Sequence, residues 1–263
     1  MSWVQITGRD AHLEALDFGG TGAGALLLHG LAGTAREWEE TAAWLAETHR
    51  VVALDQRGHG RSERRPADVT REAFVADAVA AIEQLGLARV VLIGQSLGAH
   101  TAFLVAAKRP DRVRPLVVAE ASPAKADPAA VRQVAELLSG WPVPFPMREA
   151  AVEFFGGDSL RARAWANNLE ECDGGLTRAF DVDIVTAALA AAADSYWDEW
   201  ATISAPCLVV RGESGELSAA DAELMGQAQP FVEVVAIPGG HDVHLDAPED
   251  WQDAVSSFLA RIR

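Results

Sequence analysis

The sequence of 263 residues has little of what would place it in several large classes. It holds two cysteines, Cys172 and Cys207, which form neither a disulfide framework nor a CxxC pair, so both are expected as free thiols. Basic residues are scarce: 22 Lys and Arg stand against 38 Asp and Glu, a net charge of −16. Phosphate backbones and anionic membranes reward clustered cations, so neither nucleic acid nor a membrane is an expected partner. No apolar run approaches the roughly 18 residues that a membrane span requires. The start, MSWVQITGRD, lacks a basic segment, an apolar stretch and a cleavage site, which makes the cytoplasm the expected location. Internal repeats, low-complexity tracts and long charge blocks are missing too, so one α/β core with an insertion is the default organisation.

What is present is alternation. Short apolar runs at Leu13–Leu16, Ala25–Leu28, Val51–Leu54, Val90–Ile93, Leu116–Ala119, Leu208–Val210 and Val232–Ile237 read as strands. Helical patterns lie between several of them. Glu72–Leu85 carries an apolar stripe that Gly86 is placed to stop, Leu97–Lys108 is alanine-rich and ends at Arg109-Pro110, and Trp251–Ile262 is amphipathic. Alternating strands and helices predict a mostly parallel sheet flanked by helices. From residue 123 to residue 200 the strand signals vanish. This stretch is expected to be a helical cap inserted after the strand that ends near Glu120, with 1–122 and 201–263 forming the core. Ligands of such sheets bind at the carboxyl ends of the strands, which the cap would cover.

One turn carries chemistry. In VVLIGQSLGAH, Gly94-x-Ser96-x-Gly98 falls between a strand and a helix, where flanking glycines permit a tight turn that presents Ser96 above the sheet. The helix start supplies amide N–H groups and a positive dipole end to a developing oxyanion. A serine hydroxyl is a weak nucleophile, so a base and an acid are required elsewhere. His241 follows the last strand signal in IPGGHDVHLDAPE, and Glu216 follows the preceding one in RGESGELS. The order serine, acid, histidine differs from that of both major serine protease classes.

Together, LLLHGLAGTAREW, VVALDQRGHGRS, LIGQSLGAH and IPGGHDVHLDAPE resemble the α/β-hydrolase superfamily, of the cofactor-free serine esterase, lactonase and C–C hydrolase type, over nearly the whole chain. The resemblance implies the α/β-hydrolase fold, and it implies that the backbone amides of Leu31 and Leu97 serve the oxyanion. It also exposes a departure. Relatives most often place an aspartate as G-x-x-D after the penultimate strand, and here Gly215 occupies that offset from Gly212. Aligning SGELS with a shorter relative pattern puts Glu216 on the acid position, while Glu120 and Glu213 remain alternatives. Ser96 in place of aspartate argues against the dehalogenase and epoxide-hydrolase branches. HGLAGTAREW lacks the GPG-type loop and the asparagine of meta-cleavage C–C enzymes.

The expected reaction is hydrolysis of a small carboxylic ester or lactone through Ser96, His241 and Glu216, with an acyl-enzyme intermediate. Cleavage of a C–C, thioester or amide bond by the same triad is the alternative. A cofactor-free oxygenase or lyase, or a ligand-binding receptor on this scaffold, stands further off. No cofactor is required. His241 and His244 lie three apart without a third ligand, so no metal is expected. Trp38, Trp141, Phe145, Met147, Phe154, Trp165 and Trp197 are candidate walls of a pocket for a small-molecule substrate with an apolar or aromatic part. Monomer and homodimer are equally compatible with the sequence.

Overall fold

The structure is a computed structural model that describes residues 1–262. Eight strands form one sheet: β1 (Ser2–Thr7), β2 (His12–Gly19), β3 (Ala23–Leu28), β4 (His49–Asp55), β5 (Val90–Gln95), β6 (Val113–Ala119), β9 (Cys207–Gly212) and β10 (Val232–Ile237). Two more, β7 (Leu169–Cys172) and β8 (Gly175–Arg178), pair only with each other. The sheet order is β1-β2-β4-β3-β5-β6-β9-β10, antiparallel at β1–β2 and β2–β4 and parallel elsewhere. The chain leaves β3 toward β4 and returns to β5 on the other side of β3. The carboxyl ends of β3 and β5 therefore face a crevice at a reversal of strand order, where sheets of this kind bind ligands.

Burial on both faces explains the apolar runs. Along β5, Val90 and Leu92 join one core while Val91 and Ile93 join the other, and β3, β4 and β9 split in the same way. Helices Arg71–Gln84 and Leu97–Lys108 cover the first face, and Glu39–Leu45 and Pro248–Arg261 cover the second. Each fully buried Val, Leu or Ile contributes about 1.5–3 kcal/mol, so these two layers dominate the stability of the fold. Gly86 does stop its helix: it has φ +69°, and the Gly86 and Leu87 amides close onto the Glu83 and Ile82 carbonyls.

Between β6 and β9 lie helices Pro128–Ser139, Arg148–Phe154, Leu160–Asn167, Val182–Ala191 and Trp197–Trp200. The first four share a small core that includes Leu138, Trp141, Phe145, Ala151, Phe180 and Val185, and Ala32 of the sheet domain packs into it, whereas Trp197 and Trp200 join the sheet core. This stretch is not wholly helical, because the β7–β8 hairpin interrupts it. Its strands, LEEC and GLTR, are mostly polar and half exposed, which removes the apolar run that marks a buried strand. Strand β1 escaped the sequence for the same reason, since only Ile6 of its six residues is buried. Among the described residues no helix is long and apolar enough to cross a membrane.

Candidate active site

Three non-glycine residues among those described have positive φ: Ala32 (63°), Ser96 (52°) and Glu120 (54°). Side chains avoid this region, and each such residue costs on the order of 1–2 kcal/mol. All three follow neighbouring strands, β3, β5 and β6. The strain is gathered at the carboxyl ends of the central strands.

Ser96 sits at the elbow between β5 and the helix that begins at Leu97. Its amide donates to the Ala119 carbonyl at 2.8 Å, and its carbonyl accepts the His100 amide at 2.9 Å. The two glycines around it are needed for space. A Cβ at Gly94 would collide with the Gly98 carbonyl and the Ala99 amide, and a Cβ at Gly98 would collide with the Leu28 and His29 carbonyls. Neither the Leu31 amide nor the Leu97 amide donates a hydrogen bond among the described residues. Leu97 opens its helix, so no intrahelical acceptor exists for its N–H.

The imidazole of His241 is carried by the loop after β10. Gln95, the residue before Ser96, donates from Nε2 to the His241 carbonyl at 2.8 Å and so ties that loop to the elbow. His241 Nδ1 lies 3.4 Å from Glu120 Oε2. The Glu120 side chain is fully buried, while that of His241 is 38% exposed. Glu120 is anchored by backbone: its Oε1 accepts from the Gly212 amide at 2.7 Å, and its Oε2 accepts from the Glu216 and Leu217 amides at 2.6 and 3.2 Å.

This arrangement corrects the expected acid. Glu216 turns its side chain to solvent and contributes its amide to Glu120, and Glu213 is exposed as well. The alternative, Glu120, is the carboxylate on His241. The physical reason is room at Gly215. A Cβ there would overlap both oxygens of Glu120, so the space an aspartate would use is taken by a longer side chain arriving from β6.

Burial by itself would lower the pKa of His241. The Glu120 hydrogen bond, followed by the charges of Asp242, Glu120 and Glu216, outweighs it and holds His241 above the ordinary histidine value. Asp242 is pushed up by burial, although the His241 charge and a 3.0 Å hydrogen bond from Trp165 Nε1 work against that. Glu37, buried beneath the Gly30 amide, is held well above the usual carboxylate range by burial and by the charge of Asp242.

The neighbouring loops are fixed rather than reactive. His29 is fully buried; its Nδ1 lies 2.8 Å from the Gly30 carbonyl and its Nε2 accepts the Gln56 amide at 3.0 Å. These partners assign the proton to Nδ1. Burial and the charge of His59 push its pKa down to about 3, so it is a neutral strut under the Leu31 loop. Arg57 binds Asp77 through Nε and Nη2, Asp10 through Nη2 and the Asp68 carbonyl through Nη1, which pins the loop after β4.

Of the seven candidate pocket residues, the structure joins Trp165 to the His241 loop, through Asp242. The others lie in packed cores or at the surface. Trp38 lies fully buried in the sheet core, stacked on His244 at 4.4 Å. Trp141 and Phe145 pack inside the insertion, Trp197 packs against the sheet core, and Met147 and Phe154 are 57% and 46% exposed. Nothing in the sequence marks Gln95, which occupies the first variable position of the elbow motif.

Comparison with known proteins agrees with this architecture. A family profile described as alpha/beta hydrolase fold matches residues 26–248. The 2-(acetamidomethylene)succinate hydrolase of Mesorhizobium japonicum is 28% identical over 249 residues, covering 91% of this chain and 89% of that protein. The sn-1-specific diacylglycerol lipase ABHD11 of Mus musculus is 30% identical over 267 residues, covering 93% and 83%. The crystal structure of an E-2-(acetamidomethylene)succinate hydrolase superposes with a TM-score of 0.90 at 24% identity, covering 98% of this chain and 99% of that one.

Proposed function

The chain belongs to the α/β-hydrolase family, and from that premise we propose that it is a serine hydrolase that cleaves small acyl compounds through Ser96, His241 and Glu120. The observation that carries this reading is the buried Glu120 carboxylate on His241 Nδ1, beside an elbow that holds Ser96 in a left-handed conformation.

In this mechanism Glu120 accepts from Nδ1–H and keeps the other ring nitrogen, Nε2, free to take the proton of Ser96 Oγ. Oγ attacks the carbonyl carbon, and the negative charge that develops on oxygen is met by the Leu31 and Leu97 amides. Each donor is worth about 3 kcal/mol of transition-state stabilisation. The imidazolium returns its proton to the leaving group, which departs and leaves an acyl-Ser96. Water, deprotonated by His241, then releases the acid. The substrate is a small molecule, a carboxylic ester or lactone being the leading class, and the expected site of action is the cytoplasm. Segment 123–200 acts as the cap, with Trp165 as its link to the His241 loop.

The second reading, an amide or C–C bond in place of the ester, is favoured by the relative named for an acetamidomethylene succinate, whose name contains an amide. The two readings separate on a matched pair of substrates. A short-chain 4-nitrophenyl ester should show a burst of one nitrophenolate per chain that Ser96→Ala abolishes. Hydrolysis of the matching anilide at a comparable kcat/KM would assign the amide class, and no Ser96-dependent turnover of either substrate would remove the hydrolase reading.

A further inference from the structure

Among the described residues, two arginines are buried to within 1% of full burial, Arg57 and Arg71. They differ in their partners. Arg57 uses Nε, Nη1 and Nη2, and two aspartates neutralise it. Arg71 has no carboxylate bonded to it among the described residues. Its Nη2 donates to Thr101 Oγ1 and to the Leu97 carbonyl, the latter at 3.3 Å, while Nε and Nη1 donate to nothing. That leaves three N–H bonds without an acceptor and a positive charge with no carboxylate bonded to it in the interior. Burial pushes the pKa of Arg71 down only to about 10, so the group is a cation at neutral pH.

A second unsatisfied group stands beside it. His100, on the same helix as Leu97, is buried, and neither ring nitrogen has a partner. Burial and the charge of Arg71 hold it neutral. Nine buried side-chain nitrogen and oxygen atoms lack a partner among the described residues, and four of the nine belong to Arg71 and His100. Buried donors and unpaired charges are costly, so four such atoms gathered in Arg71 and His100 mark a place that a polar group of opposite charge would satisfy.

The position gives the deficit a meaning. Arg71 binds the carbonyl of Leu97, the residue that follows Ser96 and whose amide faces the oxyanion. The apolar wall around it, Phe74, Leu97 and Leu31 with Ala188 and Ala192 of the cap, joins the oxyanion loop to the cap. The Phe74 ring covers the guanidinium at 4.6 Å. Thr101, held by the Gln56 amide oxygen at 3.0 Å, fixes Nη2 and thereby the plane of the group.

We propose that Arg71, with His100, is a carboxylate-binding subsite next to Ser96, so that the substrate is an acyl compound bearing a second, free carboxylate. The subsite rests on the serine-hydrolase reading only for the word substrate; the binding of a carboxylate stands apart from it. A guanidinium supplies the charge and the N–H donors that a carboxylate requires, and a neutral imidazole adds one more donor. The net charge of −16 would repel anions at long range, so a preference for an anionic acyl compound has to come from a local cation of this kind.

The test compares 4-nitrophenyl hemisuccinate with 4-nitrophenyl butyrate, which share leaving group and length, and measures succinate binding to Ser96→Ala by calorimetry. The native protein should favour the hemisuccinate at least tenfold in kcat/KM, and Arg71→Met should erase that ratio. The Kd of succinate should weaken at least tenfold in Ser96→Ala/Arg71→Met. Equal or reversed preference in the native protein overturns the subsite even if Arg71→Met does not fold, and so does a preference that a folded Arg71→Met retains. Succinate binding that depends on Arg71, without hydrolysis of either ester, would keep the subsite and sink the hydrolase reading. Butyrate hydrolysis without succinate binding would do the reverse.

Discussion

The carboxylate of Glu120 fills the volume into which a side chain at Gly215 would project. Gly215 is not in the left-handed region, so its lack of a side chain is a matter of space and not of backbone conformation. The carboxylate that meets His241 thus comes from the end of β6 and not from the end of β9. The backbone amides after β9 remain and hold the carboxylate in place.

Substitution of the acid should follow this geometry. Glu120→Gln leaves the shape but removes the acceptor charge from Nδ1, and kcat on an activated ester should fall by about 10³–10⁴. Glu216→Gln and Glu213→Gln, both at the surface, should change kcat by less than about threefold. The three variants measured side by side with one ester decide the assignment.

The exchange should also be reversible. Gly215→Ala drives a methyl group into the Glu120 oxygens and should lower kcat at least tenfold, with a stability loss of about 1–3 kcal/mol from overpacking. Glu120→Ala/Gly215→Asp empties that space and returns a carboxylate from β9. It should recover more activity than Glu120→Ala alone. Additive losses in the double variant would show that the two positions do not share one volume.

Much of this was readable from residues. The inner strands β3, β4, β5, β6 and β9 were legible because both of their faces are buried and each carries a continuous apolar run; Gly94, Ser96 and Gly98 were legible because the start of the helix excludes a side chain at Gly94 and the end of β3 excludes one at Gly98. Gly215 was visible as an empty acid position. Which carboxylate fills it was not, because a sequence offset from Gly212 says nothing about a side chain reaching across from β6. Trp38 reads like a pocket wall by its place after the Leu31 loop, yet it stacks in the core on His244. Arg71 has no local signature at all, since its significance lies in partners it lacks.

The rate should depend on pH through His241. Its neutral form is the base, and its pKa lies above the ordinary value, so the acidic limb of kcat/KM should fall above about 6.5. Glu120→Gln removes the hydrogen bond and the charge that raise it while burial remains. The residual activity of that variant should titrate at lower pH than the native enzyme. A limb that stays in place would separate Glu120 from His241.

Stability should fall in mild acid as the buried histidines take effect. Burial first of all pushes His29 and His244 down to about 3, His59 to about 4 and His100 well below its ordinary value. A histidine depressed in the folded state contributes stability above its unfolded pKa of about 6.5, and that contribution drains away as pH falls toward the folded value. At pH 5 His29, His244 and His59 have each lost about 2 kcal/mol, about 6 kcal/mol for the three, against a typical total of about 5–15, and His100 acts in the same direction. Asp55, raised to about 6 by burial, Glu37, Asp77 and Asp242, each raised first of all by burial, and the raised His241 act in the opposite sense and offset part of that loss. Urea unfolding at pH 7.5, 6 and 5 should show a steep loss between the last two. A flat profile would mean that these histidines take up protons in the folded state.

The activated serine is the centre of the proposed chemistry, and intact mass after treatment with a serine-directed fluorophosphonate tests it most directly. The native chain should gain one adduct, Ser96→Ala should gain none, and Glu120→Gln should label far more slowly than Glu216→Gln. A folded native chain that stays unlabelled, or an adduct that survives in Ser96→Ala, would contradict the triad.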